Sequence, residues 1–291
     1  MKVFVTGASG FIGSAVVSEL IRAGHEVTGL ARSEQSAAAI RNAGAAVLTG
    51  SLEDLHILQQ GASRADGVIH TAFIHNFDQY AQANETDKAA INAMGEALAG
   101  TDKPLIVTAG ILGLPKTAGV VTEADAAAGI PRSSELSALA WAEKGVKAAV
   151  IRLPPSVHDK GDKGFVPYLL QQARKHGVSA YPGEGRNHWP AVHRLDAAQL
   201  FRLALEKGSK GARYNAIGDE GIEVRQIATL IGERLNLPLQ SVSGEEIAQH
   251  FGWMSGFIGY DNPASSRITR EQLGWTPGHI GLLEDMNKNY F

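Results

Sequence analysis

Cysteine is absent from the chain. This excludes disulfides, thiolate nucleophiles and Cys-ligated zinc, and it suits a cytoplasmic protein. An excess of either charge is also missing. The formal net charge is −3 and the Lys and Arg residues are scattered, so no basic stripe is offered and no nucleic-acid partner is expected. No apolar run approaches the roughly 18 residues that a membrane span requires. Lys2-Val3-Phe4-Val5 imitates the start of an export signal, but the glycines that follow interrupt it too early. No membrane partner is expected, and the cytoplasm is the default location. Metal-ligand spacing is lacking too. His70/His75 and His188/His193 are five apart rather than four, so no metal site is expected. Gly7-Ala8-Ser9-Gly10 lacks the Gly-x-Ser-x-Gly elbow of serine hydrolases.

Glycine is abundant, and its placement carries the information. Met1 to Val5 reads as a short apolar strand. Thr6-Gly7-Ala8-Ser9-Gly10-Phe11-Ile12-Gly13 follows at once, and a helical run occupies 14–23. Strand, glycine turn and helix start gather backbone N–H groups around an anion. Gly7 permits the turn, Gly10 lets the backbone approach a pyrophosphate, and Gly13 allows close packing of helix on strand. Thr6, Gly7, Gly10, Phe11, Ile12 and Gly13 are therefore expected at a dinucleotide.

Strand and helix patterns then alternate. Strands are expected at 26–30, 45–48, 67–70, 104–108 and 147–152. Helices are expected at 36–42, 52–60 (ended by Gly61), 79–98 and 133–144. Apolar strands between helices indicate a parallel sheet covered on both faces, and right-handed crossovers make it a doubly wound α/β fold of Rossmann type. After Arg152 the alternation breaks. Helices are expected at 165–176 and 196–207, a Gly/Pro segment without regular structure at 181–190, and a late strand at 213–216. With 291 residues, 44% of them hydrophobic, the chain can build one large domain and part of another. Residues 1–152 and 187–217 are assigned to the dinucleotide domain, and 153–186 and 218–291 to a smaller substrate lobe.

With these motifs placed, the chain resembles the extended short-chain dehydrogenase/reductase superfamily, in its NAD-dependent epimerase/dehydratase group. The first turn matches closely. Gly50-Ser51-Leu52-Glu53-Asp54 resembles the segment flanking the adenine, with Ser51 in the acidic place. Ile69-His70-Thr71-Ala72 resembles the turn near the nicotinamide ribose. Pro154-Pro155-Ser156-Val157-His158 resembles the segment touching the nicotinamide, and Trp189 to Asp196 the later segment leading into a helix. The resemblance implies that Ser51, Leu52, Thr71, Ala72, Pro154 and Ser156 contact the cofactor. It also implies a helix-paired homodimer through 79–98 and 133–144, with a monomer left open.

One departure stands out. The family carries a Tyr with a Lys four residues later, beside a Ser or Thr that Thr108 fits. The six tyrosines here include none with Lys at that distance. Aligning Glu135 with the family's downstream glutamate puts Ala127 and Pro131 in the two places.

For the cofactor, Arg32 at the end of the second strand offers a planar fork that matches a 2′-phosphate, with Ser33 adding a hydroxyl. This favours NADP over NAD. In the alternative, Arg32 is a solvated surface residue and Glu34 serves NAD. Thr108 is the candidate for contact with a carbonyl oxygen, and His158 the candidate for proton transfer, since imidazole titrates near neutrality. Structural hydrogen bonding is the alternative for each. Phe73, His75, Phe165, Trp189, His193 and Trp253 are candidates for an apolar substrate pocket, against plain core packing. Three functions are carried. The first is an NADP(H)-dependent reductase of a small apolar or aromatic carbonyl compound. The second is a catalytically silent NADP-binding sensor, and the third a sugar-nucleotide epimerase or dehydratase.

Overall fold

The protein is described by a computed structural model covering residues 1–74, 79–127 and 132–291. The first half alternates strictly: β1 (Lys2–Thr6), α1 (Phe11–Arg22), β2 (Glu26–Ala31), α2 (Glu34–Asn42), β3 (Ala46–Thr49), α3 (Leu55–Arg64), β4 (Gly67–His70), α4 (Tyr80–Leu98), β5 (Pro104–Gly110), α5 (Ser134–Glu143) and β6 (Lys147–Leu153). Then follow β7 (Ser156–His158), α6 (Phe165–His176), β8 (Ser179–Pro182), β9 (His188–His193), α7 (Arg194–Lys207), β10 (Arg213–Asn215) and β11 (Asp219–Glu223). The chain closes with α8 (Val224–Leu235), β12 (Leu239–Val242), α9 (Glu245–Phe251), α10 (Arg267–Leu273) and α11 (Leu282–Asn289).

Seven strands form one parallel sheet in the order β10-β6-β5-β4-β1-β2-β3. Side chains alternate across it, as strand geometry requires. Val3 and Val5 enter the core under α1 and α7, whereas Phe4 enters the opposite core under α3, α4 and α5. Burying Phe4 completely contributes about 2 kcal/mol. The strand order reverses at β1, between β2 and β4, and the crevice at the strands' carboxyl ends there is the ligand position of this architecture.

Three expectations are corrected. Gly61 does not end a helix; α3 runs through it to Arg64. A Cβ at Gly61 would lie 2.6 Å from the Phe4 ring, so the glycine is there for close approach. The segment 181–190 is not structureless, since it holds the end of β8 and the start of β9. Their partners are remote: β8 pairs with β12, and β9 with β7 and β11 in a three-stranded sheet. The domain division also shifts. β9 belongs to the small sheet, whereas Leu273 and Trp275 of the tail sit in the core of the large one. A separate core of α6, α8, α9 and α11 residues fills the lobe.

Candidate functional site

The glycine turn lies between β1 and α1. Gly7 has a φ of +70°, a left-handed conformation that favours glycine. A Cβ on Gly13 would stand 2.0 Å from the Gly7 carbonyl oxygen, so α1 touches the turn backbone to backbone. Gly10 is exposed, and a Cβ there would meet only that same oxygen, at 3.1 Å. No side chain caps α1. Its leading N–H groups therefore remain donors for an anion, reinforced by the helix dipole. Ile12 packs into the core, and Phe11 lies under the Arg194 guanidinium at 4.7 Å. Thr6 differs from expectation. It is fully buried, so its side chain has no surface for a cofactor; it is hydrogen-bonded to His70 Nδ1 at 2.7 Å instead.

At the other end of the crevice, Arg32 follows directly on β2. It is exposed and has no ion-pair partner among the described residues. Glu34, the competing residue, is held by Arg41 at 2.6 Å. Ser33, exposed beside it, caps α2: its Oγ accepts from Ser36 N–H and donates to Ser36 Oγ. Ser51 donates to Asp54 through both its N–H and its hydroxyl, which shapes the turn after β3, with Leu52 packed against the core. Those bonds hold the Asp54 carboxyl below its ordinary range.

Toward the middle of the sheet, Thr71 donates to Thr6 O, and Thr71 and Ala72 line the wall that a Cβ on Gly7 would strike. Ser156 opens β7 just past Pro154. Its Oγ is buried and without a partner among the described residues, a polar atom that fits the carboxamide end of a nicotinamide. The open glycine cradle, the uncapped helix start and this Oγ are together suited to a dinucleotide.

A buried hydrogen-bonded chain crosses this edge. From Thr6 it passes to His70, whose Nε2 meets Asp87 Oδ1 at 3.0 Å. Ser134 Oγ donates to Asp87 Oδ2 at 2.5 Å and accepts from Arg132 Nε at 2.8 Å. Arg132 Nη2 donates to Thr108 O at 3.2 Å, and its guanidinium lies 4.3 Å from the centre of the Phe73 ring. Burial raises the Asp87 carboxyl, but the hydrogen bond and charge of His70, the charge of Arg132 and the Ser134 hydroxyl outweigh it, so Asp87 titrates below its ordinary range. Burial lowers Arg132, and Asp87 and Tyr80 only partly offset this. Thr108 donates its own proton to His70 O at 2.8 Å. Sequence reading missed Asp87, Ser134 and Arg132. The available signal was an Asp on the apolar face of a long helical pattern and an Arg at the next helix's start.

The segment carrying Arg132 is braced on both sides. Arg152, fully buried, makes two hydrogen bonds to Glu135 at 2.7 Å and donates to Thr122 O and Asp125 O. Arg213 adds a third bond to Glu135.

The histidines are corrected. His158 is fully buried and bonded to Asp285 Oδ2 at 2.8 Å. Its bond fastens α11 to β7, and its Nε2 is buried without a partner among the described residues. His193 is nearly buried. Its Nδ1 accepts from Leu195 N–H to cap α7, and its ring stacks on His279 at 4.6 Å. Burial is the main cause that lowers its pKa, so it is neutral at pH 7. Asp159, His193 and Asp285 bring ligand-type atoms within 4.8 Å of one another, which local spacing did not foresee. With Nδ1 accepting, the neutral ring carries its proton on Nε2, which stands 3.7 Å from Asp159 Oδ1 and has no lone pair to offer a metal. Trp189 is fully buried behind Phe165 and is core, not pocket lining. Phe165 and Trp253 form a partly exposed aromatic cluster with Tyr168 and Phe257, at centroid distances of 4.9–5.8 Å. His75 and Pro131 lie outside the described residues.

A doubly wound parallel sheet with an open glycine turn at its switch point defines an α/β protein of Rossmann type. The chain belongs to the NAD dependent epimerase/dehydratase family, whose model matches residues 3–98. An uncharacterized protein of Schizosaccharomyces pombe is 50% identical over 98% of this chain and 98% of its own. A 4-hydroxy-2-methyl-3-oxo-4-farnesyl-3,4-dihydroquinoline-1-oxide ketoreductase of Stigmatella aurantiaca is 27% identical over 87% of this chain and 80% of its own. Among solved structures, UDP-glucose 4-epimerase of Thermotoga maritima with UDP-glucose shares the fold, with a TM-score of 0.77 at 22% identity, over 99% of both chains. Family members are NAD(P)-dependent oxidoreductases, epimerases and dehydratases.

Proposed function

We propose that the protein is an NADP(H)-dependent reductase of a small apolar or aromatic carbonyl compound. The observation that carries this reading is the exposed Arg32 guanidinium, unpaired among the described residues, at the ribose end of β2, with Glu34 already engaged by Arg41. When bound, the reduced cofactor supplies a hydride from C4 of its nicotinamide. The chain's own part is to hold and orient. The amides of Phe11 to Gly13 receive the pyrophosphate, Arg32 the 2′-phosphate, and Thr71, Ala72, Pro154 and Ser156 the nicotinamide end. The aromatic cluster of Phe165, Trp253 and Phe257 supports an apolar substrate, as does likeness to a ketoreductase of an aromatic ring system. Of the lobe arginines, Arg186 pairs with Glu184, Arg225 lies on Tyr181 and Arg267 pairs with Glu271. The silent-sensor reading rests on Thr108, whose hydroxyl proton is committed to His70 O.

NADPH oxidation against a panel of aromatic and aliphatic aldehydes and ketones tests the proposal. Tight NADPH binding without turnover on any of them selects the silent sensor. Arg32→Ala is expected to weaken NADPH binding by about 10- to 100-fold, the value of a charge-assisted contact, and to change NADH affinity little. Equal losses for both cofactors, measured by titration calorimetry, would overturn the NADP assignment.

A cytoplasmic homodimer is part of the same proposal. The helices named for it, α4 and α5, lie side by side with Trp141 packed on Gly95, and Leu136 is left 55% exposed. No helix among the described residues is long and apolar enough to cross a membrane.

A further inference from the structure

Arg132 is a half-buried cation with an unusual set of partners. Its Nε and one Nη2 proton go to neutral oxygens, Ser134 Oγ and Thr108 O. No carboxylate touches it among the described residues. The nearest anion it feels, Asp87, is one hydroxyl away through Ser134. A guanidinium has five N–H donors in a fixed fork, and the Nη1 pair has no partner among the described residues. A desolvated charge is costly unless something negative meets it. Arg132 stands where the carboxyl ends of β4 and β5 meet, over Phe73, three residues beyond β4. The rigid chain Ser134–Asp87–His70–Thr6 ties it to the cofactor turn.

We propose that Arg132 grips the carbonyl oxygen of the substrate and stabilises the negative charge that gathers there during reduction. This rests on the reductase reading. In the step, the carbonyl carbon gains a C–H bond from the hydride of NADPH, which becomes NADP+. The C=O π pair moves to the oxygen, and that oxygen takes a proton from water, giving the alcohol and releasing hydroxide to the solvent. Arg132 gives up no proton, because a guanidinium stays charged at any working pH. It acts as a donor aimed at the developing oxyanion. The step thus needs no phenol at the place where the family carries Tyr. Asp87 and Ser134 are positioning residues, fixing the fork through Nε.

The site is an oxyanion site, so a planar carboxylate on an aromatic ring is a suitable static probe. Benzoate binding to the NADP+-loaded protein would be measured by calorimetry for the parent chain, Arg132→Met and Arg132→Lys. Benzoate is expected to bind the parent chain, to lose about 10-fold or more in Arg132→Met, and to recover in part in Arg132→Lys. NADP+ affinity and thermal unfolding are expected to stay close to those of the parent. On the best carbonyl substrate, Arg132→Met is expected to lower kcat and kcat/KM alike, by about 100-fold. Benzoate that fails to bind the parent chain, or binds Arg132→Met equally well, overturns the proposal. Absence of turnover in a parent chain that holds benzoate through Arg132 overturns the reductase reading instead and leaves the anion site standing.

Discussion

Gly13→Ala is expected to abolish measurable NADPH binding and to lower stability by about 3 kcal/mol. The added methyl would sit 2.0 Å from the Gly7 carbonyl oxygen and 2.7 Å from its carbon. Both are backbone atoms, which no rotamer change can move. Either α1 lifts off β1 or the turn opens, and in each case the N–H groups leave the pyrophosphate. Gly10→Ala is the matched control. Its methyl would meet only Gly7 O, at 3.1 Å, on an exposed turn. It should fold normally and lose cofactor affinity alone. Calorimetric titration with NADPH, paired with thermal unfolding, separates the two. A Gly13→Ala protein that binds NADPH as tightly as its parent would remove the glycine turn from the site.

The second large effect is expected at Glu135. Its carboxylate meets Arg152 at 2.7 Å through two bonds and Arg213 at 2.8 Å, and Arg152 has no exposed surface. Glu135→Leu leaves the Arg152 charge buried and uncompensated. Removing one member of a buried pair costs about 3–5 kcal/mol, roughly a 10 °C drop in Tm for a chain of this size. Glu135→Gln keeps an acceptor and the shape, so its loss should be smaller. Arg152 also holds Thr122 O and Asp125 O, so the damage should spread to the segment that places Arg132. A Glu135→Leu protein that melts with the parent would show that the pair contributes nothing net.

Much of the large domain was legible in the sequence because its determinants are local. The apolar runs Val3 to Val5 and Leu105 to Val107 are strands buried on both faces, and such runs can be read without a partner. Gly7 announced a turn because few other residues tolerate its backbone, and Gly13 a contact of helix on strand that admits no Cβ. The lobe was less legible. β8 and β12 are paired across sixty residues, and no local period records that. Gly61 misled for a similar reason: its cause is the Phe4 ring, fifty-seven residues earlier. Histidines were over-read. His158 and His193 have the chemistry for proton transfer, but burial and the partners Asp285 and Leu195 N–H turn them into structural ties. The actual polar centre, Arg132 with Ser134, Asp87 and His70, is scattered over three elements and the segment before α5, and has no spacing to recognise.

By itself, the order of residues determined the parallel sheet, the opening phosphate turn and the absence of a Tyr with a Lys four places on. Each of these follows from a short run whose backbone preference or hydrophobic period acts locally. Only the packed chain decided which ionisable groups are buried, which are already bound and which keep donors to offer. Those properties depend on neighbours far away along the polypeptide, since desolvation and hydrogen bonding respond to distance in space.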